Sequence, residues 1–205
     1  MGKNIDNIVY SKNVLEFTTV ANEYCSFIEK AYKGSQKDFF VKIQKILPLL
    51  YLKASLLPEL KIISSEGSEK FVSLEEWELI NNNIKLLLSD FDTFKEVYDP
   101  LMQEEEEDSS SVSIAENIAD IYQDLKDYVS LYNIGSIEMM NDAICECKNN
   151  FKKYWGQRLV NILRPIHHIV YGDKKLNTDV NTETKKRDKN SWNISQQFEN
   201  LDNDE

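Results

Sequence analysis

The sequence predicts an all-α fold: a single-domain bundle of about five helices over residues 1–172, with a kinked central helix, followed by a polar, disordered C-terminal tail over 173–205. Three observations predict it. Turn residues are scarce, with six glycines and four prolines in 205 residues, about 5% where roughly 12% is usual. So few breakers disfavour the many short strands of a sandwich, barrel or doubly wound sheet. Apolar residues recur every three or four positions over long stretches. Serines with an acid three residues on stand just ahead of several of those stretches, as helix caps do.

The first helix is expected from about Ser11 to Tyr32, with Val14, Phe17, Ala21, Tyr24, Cys25 and Ile28 on one face. Gly34 stops it. Ser35 and Asp38 cap a second helix running to about Leu57 that is apolar almost all round, from Phe39 and Phe40 to Leu56 and Leu57. Such a helix belongs in the middle of a bundle, and Pro48 inside it is expected to kink it. Residues 58–72 read as a connector with a turn at Ser65, Glu66 and Gly67, and with Lys61 to Ile63 pairing Lys70 to Val72.

Ser73 and Glu76 open a third helix that the apolar spacing carries to about Tyr98, before Pro100. Glu104 to Glu107, Asp108 and three serines make a self-repelling loop. Ser113 and Glu116 open a fourth helix with Ile114, Ile118, Ile121, Leu125, Val129 and Tyr132 inward. Gly135 breaks it and Ser136 caps a long fifth helix to about Tyr171, bent near Gly156 and Pro165. Beyond Gly172 the chain is rich in Asn, Asp, Lys and Thr and has too few apolar positions to offset chain entropy. Within it Trp192, Ile194, Phe198 and Leu201 stand apart as a recognition element; the last three fall at i, i+4 and i+7 and either dock back on the bundle or engage another protein.

Charge narrows the function. Lys and Arg number 24 and Asp and Glu 35, a net charge of -11, so the chain repels phosphate backbones and no nucleic-acid partner is expected. No apolar run approaches the 18 or so residues of a membrane span, so no membrane partner is expected either. The N-terminus carries no basic-then-apolar leader pattern. Cys25, Cys145 and Cys147 are an odd number and read as free thiols of a cytoplasmic protein.

Chemical motifs are few. Glu116, Asp120 and Asp124 on the fourth helix and Glu138, Asp142 and Glu146 on the fifth repeat at i, i+4, i+8, but by helical arithmetic both stripes point away from the apolar faces. They read as solvated faces, since bundle metal sites need inward ligands. No catalytic residue, metal site or cofactor is assigned: the two histidines, His167 and His168, are adjacent, with no Ser or Cys placed beside them by any nucleophile motif.

Arginine occurs three times, at 158, 164 and 187, and a lysine-rich chain keeps Arg where its planar fork matters. Arg158 lies near the centre of its helix's apolar face and needs an acceptor. Asp124 is the first candidate and Asp120 the second.

The strings Asn22-Glu23-Tyr24-Cys25, Leu47 through Ala54, Asp120 through Asp127, and Trp155-Gly156 through Leu163-Arg164-Pro165-Ile166-His167 resemble a bacterial domain-of-unknown-function family, DUF5063, over about residues 12–172. The resemblance implies a helical cytoplasmic domain and carries no activity, ligand or cofactor. It draws attention to Tyr51, Asp120, Asp124, Trp155, Arg164 and His167. Two functional readings follow. The first is a non-enzymatic interaction or adaptor module that binds another protein through a helix groove or the tail. The second is a small-molecule-binding protein or metal-dependent hydrolase using Asp120, Asp124, Arg158, Arg164 and His167.

Overall fold

The computed structural model describes residues 7–64, 69–95 and 111–179. Its helices are α1 (Lys12–Glu29), α2 (Gln36–Ser55), α3 (Leu74–Leu88), α4 (Ile114–Ile134), α5 (Ile137–Asn150) and α6 (Gly156–Tyr171). A short antiparallel pair, β1 (Thr93–Lys95) and β2 (Ser111–Ser113), stands before α4, with Phe94 opposite Val112. The acidic run 104–107 and the tail residues Trp192, Ile194, Phe198 and Leu201 lie outside the described residues.

The serine caps form as their spacing predicts. Ser35, Ser73, Ser113 and Ser136 each accept a hydrogen bond from the backbone N–H three residues on, satisfying a donor that the helix start leaves open. At α4 the cap is doubled. Buried Asp92 accepts from Ser113 Oγ at 2.9 Å and from the Ala115 N–H at 2.8 Å, a negative charge set against the helix N-terminus.

Four expectations need correction. The third helix ends at Leu88 and not near Tyr98, because Ser89 takes a positive φ of 50° and turns the chain so that Asp92 reaches α4. The described arms of the connector, Lys61 to Ile63 and Lys70 to Val72, do not pair with each other, and the expected turn at Ser65, Glu66 and Gly67 lies outside the described residues. The backbone N–H groups of Ile63 and Ser64 donate to Asp142, and those of Phe71 and Val72 to Asp127, so each arm pairs with a carboxylate on the bundle. The acidic stripes are solvated only in part: Glu116 and Glu138 are exposed as expected, whereas Asp142 is buried and Asp120, Asp124 and Glu146 are partly covered.

The fourth correction concerns the centre. The most enclosed helix is α4, which packs on α1, α3, α5 and α6 and buries Ile118, Ile121, Tyr122 and Leu125 completely. The second helix, α2, runs through Pro48 with one face against α1 and α6. Its other face leaves Leu49, Leu52 and Leu56 exposed.

The fifth predicted helix is two helices joined by a π turn, Phe151–Trp155. Its closing bond runs from the Gly156 N–H to the Phe151 carbonyl, five residues back. A Cβ on Gly156 would stand 2.3 Å from that carbonyl oxygen and 2.9 Å from the Phe151 ring. Only glycine fits there. The wide turn buries Phe151 and Trp155 on one side and leaves Tyr154 exposed on the other.

Candidate functional site

Asp120 collects three donors from three neighbouring elements, α3, the π turn and α6. Its Oδ1 accepts from the Trp77 indole N–H at 3.0 Å, and its Oδ2 from the Tyr154 hydroxyl at 3.0 Å and Arg158 Nη1 at 3.0 Å. Arg158 also donates to Asn117 at 3.3 Å and lies 4.5 Å from the centroid of the Tyr154 ring. Asp120, not Asp124, is therefore the partner of Arg158. Helical spacing places both acids on nearly one face and cannot tell which one the next helix meets.

Asp124 belongs to a second cluster. It accepts from Asn150 Nδ2 at 2.7 Å and borders a cavity of about 10 Å³ that Lys70, Asp127, Glu146 and Cys147 also line. The space suffices for about one water molecule. Burial pushes the Asp124 carboxyl up to about 6. Lys70 sits over the cluster, 2.9 Å from Glu146 and 3.6 Å from Asp127. Among the described residues no three His, Cys, Asp or Glu side chains are grouped to hold a metal ion.

The third feature is a groove between α2 and α6. The two helices run in opposite directions: the Lys37 N–H donates to Asn177 just past the end of α6, whereas Tyr51 meets Phe151 at a centroid distance of 5.1 Å. Between those points Gln44, Lys45, Pro48, Leu163, His167 and Tyr171 line an opening of about 380 Å³. Tyr51 continues the row of Gln44 and Pro48 at i+7 and i+3, and Val160 continues that of Leu163 and His167. Pro48 supplies no N–H to the Gln44 carbonyl, so that acceptor sits beside the groove without its helical donor. His167 packs on Tyr171 with ring centroids 4.7 Å apart.

The residues singled out by sequence thus separate. Tyr51 and His167 flank the groove. Asp120 and Arg158 form the ion pair, Asp124 lies at the small cavity, and Trp155 is wholly buried with its indole N–H lacking a hydrogen-bond partner. Arg164 donates to the Lys95 carbonyl at 3.2 Å, which ties α6 to β1. The Asp120–Arg158 pair, Asp124, Arg164 and His167 are held by separate partners, so the five residues do not converge on one point. All three thiols are free and buried, and burial pushes Cys25 up to about 12, far from a reactive thiolate.

Sequence reasoning missed the groove itself. Pro48 reads as a kink and Tyr171 as a helix end, and only the antiparallel packing of α2 on α6 brings them together. The available signal was the excess of apolar residues on α2 over what one buried face can take. A second opening of about 430 Å³, lined among others by Phe91, Phe94, Pro165, His168 and Lys174, lies near the end of α6. There Asp90 and Asp173 offset Lys174.

Protein BF1032 from Bacteroides fragilis, a structural-genomics target with a crystal structure, is similar to this chain at 38% identity and a TM-score of 0.72, over 83% of this chain and 99% of that one. No curated protein matches. The model of the family described as a domain of unknown function, DUF5063, matches residues 8–172, which is the helical bundle from before α1 to the end of α6, and the chain belongs to that family.

Proposed function

We propose that this chain is a non-enzymatic helical module that holds another protein through the groove between α2 and α6. The observation that carries the reading is the apolar lining of the groove itself, Pro48, Leu163 and Tyr171, with Tyr51 41% exposed at its edge; Leu49 and Leu52 lie exposed on the outer face of α2. Exposed apolar surface of this kind is stabilised when a partner covers it, at about 25 cal/mol per Å² removed from water, and contiguous patches commonly mark interaction sites. The matching partner is an amphipathic helix that presents apolar residues at i, i+3 or i+4, and i+7. His167, Lys45 and the Gln44 carbonyl give it polar contacts at the rim.

The test is site-specific photo-crosslinking in the cells that make the protein. A photoreactive residue in place of Tyr51 is expected to give a discrete crosslinked protein. The same residue in place of Leu79, which is exposed on α3, is expected to give none. Equal yields at both positions, or none at Tyr51, would contradict the reading.

A further inference from the structure

We propose that the chain's own segment 192–201 occupies the α2/α6 groove and competes there with the external helix; this rests on the groove being a docking site. Described structure ends at residue 179, and the last anchored residue is Asn177. Its N–H donates to Gln36 Oε1 at 3.1 Å and its carbonyl accepts from the Lys37 N–H at 3.0 Å. The chain therefore leaves the bundle at the first turn of α2. From Lys37 to Pro48 is about 16 Å along the helix axis. Asp179 and Trp192 are thirteen residues apart in sequence, and a random coil of that length spans about 20 Å root-mean-square. A linker whose natural reach matches the distance gives an effective concentration near its maximum, on the order of millimolar.

The pattern and the charge also match. Ile194, Phe198 and Leu201 share one helical face at i, i+4 and i+7, the spacing that fits a groove between two helices. From residue 192 onward the sequence has Glu199, Asp202, Asp204 and Glu205 and no Lys or Arg. In a chain of net charge -11 the groove lining holds no carboxylate. It offers Lys45, which has no salt-bridge partner among the described residues, and His167. An isolated helix this short is marginal in water, so the segment would gain its order from the groove.

The test uses the full chain and a fluorescent peptide of residues 190–205, followed by anisotropy. The peptide is expected to bind the Ile194→Asp/Phe198→Asp chain saturably and the unaltered chain at least tenfold more weakly, because the tethered copy competes. Adding His167→Glu and Tyr171→Glu to the tail-altered chain is expected to abolish binding. Lys45→Glu, at an exposed position, is expected to weaken it severalfold, and circular dichroism verifies that each variant is folded. Equal affinity for the altered and unaltered chains, no binding to the altered chain, or binding indifferent to the groove variants would each overturn the proposal. If those results appear while crosslinking at position 51 still captures a partner, only self-occupancy falls. If the peptide competes as expected and position 51 captures nothing, the external-partner reading falls.

Discussion

Asp120 and Arg158 meet at 3.0 Å between Oδ2 and Nη1, and the same oxygen accepts the Tyr154 hydroxyl at 3.0 Å. With the carboxylate 11% and the guanidinium 29% exposed, the pair is covered enough to matter and wet enough to be screened. Asp120→Ala is expected to lower unfolding free energy by about 2–3 kcal/mol, since it strands an indole, a phenol and a guanidinium at once. Asp120→Ala combined with Arg158→Leu is expected to be less than additive by about 1 kcal/mol or more. Urea unfolding of the four proteins checks this; strict additivity would show that the pair acts through separate contacts.

The π turn makes Gly156 irreplaceable by the usual helix-stabilising substitution. In a solvent-facing helix Gly→Ala gains roughly 1 kcal/mol. At this position the new Cβ would meet the Phe151 carbonyl oxygen at 2.3 Å, and Gly156→Ala is expected to destabilise by about 2 kcal/mol or more. Thermal unfolding decides, and a stabilised variant would mean that the turn relaxes to an ordinary α-helix.

Asp142 holds the connector by accepting from Ile63 and Ser64 at 2.8 Å each. Hydrogen bonds to a charged acceptor contribute about 1.5–3 kcal/mol. Asp142→Ala is therefore expected to free residues 60–64 locally. Amide exchange at 63 and 64 should accelerate by about tenfold or more, with little change in α4. Unchanged protection at those two amides would show that packing of Leu60, not the carboxylate, holds the arm.

Asp124 gives stability a defined pH dependence. Burial raises its folded value to about 6 from 3.8, so between those values the folded chain keeps a proton that the unfolded chain releases. Its stabilising contribution is complete below about pH 4 and is lost as pH rises through 6. Asp124→Asn removes this titration and keeps an acceptor for Asn150. Relative to the variant, the unaltered protein is expected to lose on the order of 2 kcal/mol between pH 4 and 7.5. A pH-independent difference between the two would place the carboxyl at its ordinary value.

Much of the fold is legible in the sequence because its signals are local. Each serine cap depends on a residue and a backbone N–H three positions away, and Ser35, Ser73, Ser113 and Ser136 all behave as their spacing predicts. What depends on distant chain is not legible. Helical arithmetic points Asp142 away from its helix's apolar face, yet the arm at Ile63 and Ser64 covers it. Nor can it choose between Asp120 and Asp124 as the partner of Arg158, which is settled by the lateral position of α6. The π turn leaves only the pairing of Phe151 with Gly156 as its trace. Of the candidate site residues, Tyr51 and His167 flank one groove because α2 and α6 are antiparallel, a relation that no single-helix pattern contains.

The most direct measurement is the crosslinking yield from a photoreactive residue at position 51 in two further backgrounds, Arg158→Leu and His167→Glu, with melting temperature read alongside. If the α2/α6 groove is the working surface and the Asp120–Arg158 pair is structural, Arg158→Leu lowers the melting temperature and leaves the crosslinked product, whereas His167→Glu keeps the melting temperature and loses the product. A product that survives His167→Glu but vanishes in a fully stable Arg158→Leu chain would contradict the account and move the binding surface to the ion pair.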